Sequence, residues 1–369
     1  MIKIVSTRGI AEIIALFAIV LLLGFAIGYQ ALSASKASVI SNSLASPQFT
    51  IFAYILDAVI FGILLLIILH RHHSETLLFK VLEFIVIAFT SFFFFLVVYA
   101  ILVPAKIGYA VALPSHITYA LALPQSVNLL GPYVLAIASA IILITAKELH
   151  PRIKDAATMI SSMGIGLLLG INFPFAYAMI ILAVVAIYDY IAIFRTKAIV
   201  TFDKTLIALD IAFLISVSDL ESMPRGKFSK KDQDEYDQYL LKSKYNNDPK
   251  FRKILQTGNL PIISQVCLGE GDLSLPLMVA ISAFYTFVNY TFTGMIIAGA
   301  MLGITVTMLL LKKYKKPMPA IPPLFAFMAI AAGIAYAVTG RGSGIDSVAF
   351  VGVGLAVFLF TLYSLSREK

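Results

Sequence analysis

Ten stretches of about twenty apolar residues run through this chain, and few folds can accommodate them. A helix needs about 20 such residues to cross about 30 Å of hydrocarbon. The stretches cover roughly 10–30, 49–69, 80–103, 129–147, 155–172, 174–194, 261–283, 287–311, 320–339 and 346–365. Pro174 makes the turn from the fifth into the sixth. Only 13% of the 369 residues are charged and 60% are hydrophobic, whereas a soluble domain is about 25% charged. The chain lacks the polar surface to cover a globule in water. That excludes a soluble enzyme, a disordered protein and a secreted disulfide scaffold. Cys267 is the one cysteine, so no internal disulfide can form. The first stretch resembles a signal-peptide core, but more spans follow and no small-residue cleavage site stands out, so it reads as a retained helix. The expected fold is an all-α polytopic membrane protein with nine to ten transmembrane helices.

The basic residues test that count. The net charge is +8, which in a soluble protein would suggest nucleic acid. In a membrane protein, Lys and Arg instead report orientation, because cytoplasmic loops are enriched in them. Of the 28 Lys and Arg, 25 fall at the amino terminus, in every second loop and at the carboxyl end. The alternate loops hold only Lys36, Lys106 and Arg341. This split places the amino terminus and the loop between spans six and seven in the cytoplasm. No nucleic-acid partner is expected; the lipid bilayer is.

Two units are expected, an amino-terminal bundle of five spans over 1–173 and a second bundle over 174–369. The second contains a cytoplasmic loop at 195–260. Within that loop, Ile199 to Val217 mixes apolar and polar residues and reads as an interfacial helix or re-entrant piece. Lys227 to Lys253 is highly charged and reads as a solvated linker. The stretch 103–128 is punctuated by proline, nearly uncharged, and gives no clear element.

An acid deep in hydrocarbon costs roughly 2.5–3.5 kcal/mol to insert and is therefore a functional candidate. Glu12, Asp57 and Glu83 lie near span ends, where they can snorkel or pair, Glu12 with Arg8 and Glu83 with Lys80. Asp189 and Asp272 lie deeper. Span six runs toward the cytoplasm and span seven leaves it. At about 1.5 Å per residue, Asp189 sits roughly 8 Å from the cytoplasmic end and Asp272 within roughly 10–16 Å. Two carboxyls at similar depth on neighbouring helices can share one proton. The ionised partner takes a proton from water as the water attacks a carbonyl. The protonated partner polarises that carbonyl and later protonates the leaving amine. This chemistry calls for no metal and no cofactor. None of the five histidines falls in a span beside these acids; His70, His72 and His73 cluster at a cytoplasmic edge.

Gly269 and Gly271 flank Glu270 just ahead of Asp272. They loosen the helix start and let a backbone approach closely. A third element opens span nine: Pro317-Met318-Pro319-Ala320-Ile321-Pro322-Pro323, four prolines in seven residues. Such a run cannot be helix interior. It is expected to hold an extended segment with unpaired carbonyls, able to bind a substrate unwound to a strand.

Together these pieces resemble the presenilin and signal-peptide-peptidase family of intramembrane aspartyl proteases, most closely its archaeal members. The family's Tyr-Asp motif matches Tyr188-Asp189. Its Gly-x-Gly-Asp motif matches Gly269-Glu270-Gly271-Asp272. Its Pro-Ala-Leu motif matches Pro319-Ala320-Ile321, with Ile in place of Leu. The tenth apolar segment exceeds the family's nine spans. The resemblance implies a presenilin-like fold, catalysis by Asp189 and Asp272, and supporting roles for Tyr188, Gly269, Gly271, Pro319, Ala320 and Ile321. It also implies cleavage of peptide bonds inside transmembrane helical substrates, bound as a strand beside Leu260 to Val266. No obligatory partner subunit is expected. Two other readings use paired membrane aspartates. A prepilin-type leader peptidase shares the Gly-x-Gly-Asp motif but would not need the proline run. A proton-coupled transporter would be expected to show matching acids in both halves, and none is seen in the first.

Overall fold

The structure is a computed structural model. It describes residues 7–35, 75–102, 110–112, 126–128, 132–150, 153–194, 214–224, 254, 256–257, 259–314 and 318–367. The second apolar segment, Asp57 and the histidines at 70, 72 and 73 lie outside them.

Nine long helices form among the described residues: α1 (Thr7–Ser35), α2 (Glu75–Leu102), α3 (Pro132–Leu149), α4 (Lys154–Asn172), α5 (Phe175–Phe194), α6 (Glu270–Phe287), α7 (Tyr290–Tyr314), α8 (Ile321–Thr339) and α9 (Gly344–Arg367). Six of these contain stretches long and apolar enough to cross a membrane, among them the tenth segment, Gly344–Arg367. The protein is thus a multi-pass integral membrane protein. Two short antiparallel sheets supplement the helices. β1 (Ala110–Ala112) pairs with β2 (Ser126–Asn128), in the stretch that gave no clear element from sequence. β3 (Leu214–Pro224) pairs with β4 (Asn259–Gly269) over eleven positions, from Leu214 opposite Gly269 to Pro224 opposite Asn259.

The ribbon corrects two expectations. Residues 214–217 are strand, not interfacial helix, and 199–213 lie outside the described residues. The seventh span begins at Glu270 rather than at 261, because 261–269 belong to β4. The β-branched Ile262, Ile263 and Val266 suit a strand, and Pro261 could not donate a helical hydrogen bond. Hydropathy alone cannot separate a buried strand from the helix it leads into. Cys267 consequently faces Ser216 across the ribbon.

α6 is the centre of the bundle. Every residue from Leu273 to Phe284 is buried, against α1, α4, α5 and α7. It needs no lipid-facing stripe, so it can carry Ser274, Pro276 and Ser282. Small residues bring backbones together, as is usual in lipid. A Cβ on Gly164 of α4 would lie 2.1 Å from the Thr90 carbonyl oxygen of α2. One on Gly354 of α9 would lie 2.6 Å from the Ala326 carbonyl oxygen of α8. α5 is tied to α6 at its start, where the Phe175 amide donates to Thr286 Oγ1 at 3.0 Å and Ser282 Oγ donates to the Phe173 carbonyl.

The shallow acids behave partly as expected. Glu12 pairs with Arg8 at 2.9 Å on an exposed face. Glu83 pairs with Lys147 of α3 rather than with Lys80, and both ends of that ion pair are buried. The reason is packing: α3 lies against α2, and a buried carboxylate needs a buried cation. Asn289 caps α7 by accepting from the Phe292 amide at 2.9 Å.

Candidate active site

Asp189 lies five residues before the end of α5 and is 8% exposed. Its Oδ2 accepts a hydrogen bond from the Ile321 amide at 3.2 Å. The proline run explains why that amide is available. The first amides of any helix lack intrahelical acceptors. Ile321 is the first residue of α8, and Pro322 and Pro323 carry no N–H. Leu324 already donates to the Ala320 carbonyl. The double proline therefore leaves Ile321 as the free donor of the first turn, and Asp189 takes it from a different helix. The run was expected to offer carbonyls; at this point it offers an amide. Pro319 is buried and Ala320 is the residue just ahead of α8. Because the contact is made by backbone, Ile in place of Leu at 321 leaves it intact.

Asp272 sits in the first turn of α6 and is half-buried. Its Oδ2 accepts from the Gly269 amide at 3.0 Å, closing the helix start as a capping box does. Gly269 is extended, with φ −72° and ψ 153°. A Cβ there would lie 3.2 Å from Asp272 Oδ2, so glycine keeps the carboxylate uncrowded. A Cβ on Gly271 would meet nothing within 4 Å among the described residues, and Gly271 is exposed. The two glycines thus differ: one faces the acid and the other faces open space.

α5 packs against both α6 and α8. The elements that carry Asp189, Asp272 and Pro319-Ala320-Ile321 are therefore direct neighbours. β4 runs into α6 without a break, and the segment 260–266 lies within it, paired with β3. Tyr188 stands apart: it is 66% exposed, whereas Asp189 beside it is 8% exposed.

Glu270 went unweighed in sequence, yet it is 8% exposed and its Oε1 finds no hydrogen-bond partner among the described residues. It faces Ser161 of α4, which in turn shares a hydrogen bond with Thr90 of α2. The signal was a charge between two glycines at the head of an apolar helix. No group of three His, Cys, Asp or Glu able to hold a metal occurs among the described residues.

The fold and these positions define a multi-pass helical membrane protein with two acids at helix ends inside the bundle. The family model of signal-peptide peptidase, presenilin aspartyl protease matches residues 14–340, and the chain belongs to that family. Family members are hydrolases that cleave peptide bonds. A solved structure of a presenilin family intramembrane aspartate protease is similar at 16% identity, with a TM-score of 0.46, over 87% of this chain and 96% of that one. No curated protein matches the chain.

Proposed function

We propose that the protein is an intramembrane aspartyl endopeptidase in which Asp189 and Asp272 form the catalytic dyad. The observation that carries this reading is the Asp189–Ile321 contact, which ties the sixth-span acid to the proline segment while α5 packs on the helix that begins with Asp272. The two carboxyls share one proton. The ionised one accepts a proton from water as the water oxygen bonds to the scissile carbonyl carbon. The protonated one donates to the carbonyl oxygen. Collapse of that adduct breaks the C–N bond and sends a proton to the leaving amine. Water and peptide go to acid and amine, with both carboxyls returned to their starting states.

The substrates are single transmembrane helices, unwound locally so that the bond is accessible. β4 supports that role, because a strand edge can pair with an extended peptide. The 25-to-3 distribution of Lys and Arg supports a cytoplasmic amino terminus and 6–7 loop. The enzyme is proposed to act without an obligatory partner subunit and with no metal or cofactor.

The test is cleavage of a transmembrane peptide by the full chain in liposomes. Asp189→Asn and Asp272→Asn should each abolish product. Cleavage surviving either change refutes the dyad. Cuts confined to residues outside the hydrophobic stretch would favour a leader peptidase. Proton flux without cleavage, lost in the same variants, would favour a transporter.

A further inference from the structure

α9 begins at Gly344, past residue 340 where the family match ends. It is not a loose addition. It lies along α8, with Gly333 so close that a Cβ would stand 2.6 Å from the Ser347 carbonyl oxygen. It also reaches α5 at two levels. Near the start of α5, the rings of Phe350 and Phe175 lie 6.3 Å apart. Near its end, Phe360 packs on Tyr190 at 5.0 Å, and the Tyr190 hydroxyl shares a 2.7 Å hydrogen bond with Ser364 Oγ. Tyr190 adjoins Asp189 in the chain. α9 therefore holds both sides of the Asp189–Ile321 contact, α5 through Tyr190 and α8 along its length.

We propose that α9 is a clasp for the site, with Tyr190 and Ser364 as positioning residues that fix the end of α5 against α8. The hydrogen bond is partly buried between the two helices, and Ser364 Oγ also donates to the Phe360 carbonyl at 2.9 Å, which leaves the Tyr190 hydroxyl as the donor across the seam. Tyr190 is no catalytic residue in this scheme; it acts through the placement of Asp189. The proposal rests on the reading of Asp189 as a member of the dyad.

The experiment uses the full chain in liposomes with a transmembrane-peptide substrate. The variants are Tyr190→Phe, Ser364→Ala, the pair together, and Ser364→Thr. Tyr190→Phe keeps the ring on Phe360 and removes only the hydroxyl. An interhelical hydrogen bond in a bilayer corresponds to roughly a three-fold effect. Each single variant should lose about three-fold in kcat at unchanged KM, and the pair should lose no more than either single. Ser364→Thr, which keeps a hydroxyl, should restore turnover. Unchanged kcat in both singles, or losses that multiply in the pair, would overturn the proposal. Asp189→Asn run alongside separates the two failures: cleavage in that variant sinks the dyad, whereas its loss beside an unaffected Tyr190→Phe sinks the clasp alone.

Discussion

The two glycines before Asp272 offer the sharpest test of how the site works, because the same substitution should act through different partners. In Gly269→Ala the new methyl stands 3.2 Å from Asp272 Oδ2, inside ordinary van der Waals contact. The carboxylate must retreat by a few tenths of an ångström, which stretches its 3.0 Å bond to the Gly269 amide. Weakening a charge-assisted bond of this kind costs about 1 kcal/mol, or roughly five-fold in turnover if Asp272 is misplaced by the same shift. The backbone at 269 is extended and tolerates alanine, so the fold itself should hold. In Gly271→Ala no atom of the described residues lies within 4 Å of the methyl. Alanine also favours helix over glycine by about 0.5–1 kcal/mol. Thermal unfolding in detergent should therefore stay level or rise. If substrate backbone passes through that open space, cleavage should fall about ten-fold or more, with the loss seen in kcat/KM. The assay pairs peptide cleavage in liposomes with the unfolding midpoint of each variant. Wild-type cleavage by Gly271→Ala would refute the claim that substrate approaches there. A lowered midpoint in Gly271→Ala would refute the reading that the described residues leave that space open.

Other substitutions probe the scaffold. Glu83→Leu alone leaves the buried Lys147 with only the exposed Glu148, 3.0 Å away, and should destabilise by about 1–3 kcal/mol, whereas Glu83→Leu with Lys147→Met should be near neutral or stabilising; chemical unfolding of both variants decides. Val288 adopts a left-handed conformation with φ 46°, so Val288→Gly should raise stability by about 1 kcal/mol in the same assay. Gly164→Ala drives a methyl to 2.1 Å from the Thr90 carbonyl oxygen, a backbone atom that cannot yield easily; a loss of about 1–3 kcal/mol is expected, and an unchanged midpoint would count against the α2–α4 packing.

Much of this architecture was legible from apolar runs. The fifth, sixth, eighth, ninth and tenth segments fall within a few residues of α4, α5, α7, α8 and α9, because long apolar stretches with charged flanks leave a helix little choice. The seventh was misplaced at its start, since β4 and α6 are both apolar and join without a turn. The β3–β4 ribbon is a long-range pairing, from Pro224 with Asn259 out to Leu214 with Gly269, and periodicity within either strand does not announce its partner. Asp189 and Asp272 stood out as acids in hydrocarbon. Glu270 and the Glu83–Lys147 pair did not, because their meaning depends on which helices pack together. The proline run was visible, but its service as an amide donor follows from where Asp189 lands.

That amide has a consequence for how a guest could enter. α5 and α8 meet along a seam, and the Ile321–Asp189 bond stitches it at the level of the acid. A wedge driven between the two helices from the lipid must pull that stitch. Lateral admission along the seam would then change what the acid is bonded to: a closed wall keeps the Ile321 amide on the carboxylate, and a parted wall takes that amide away.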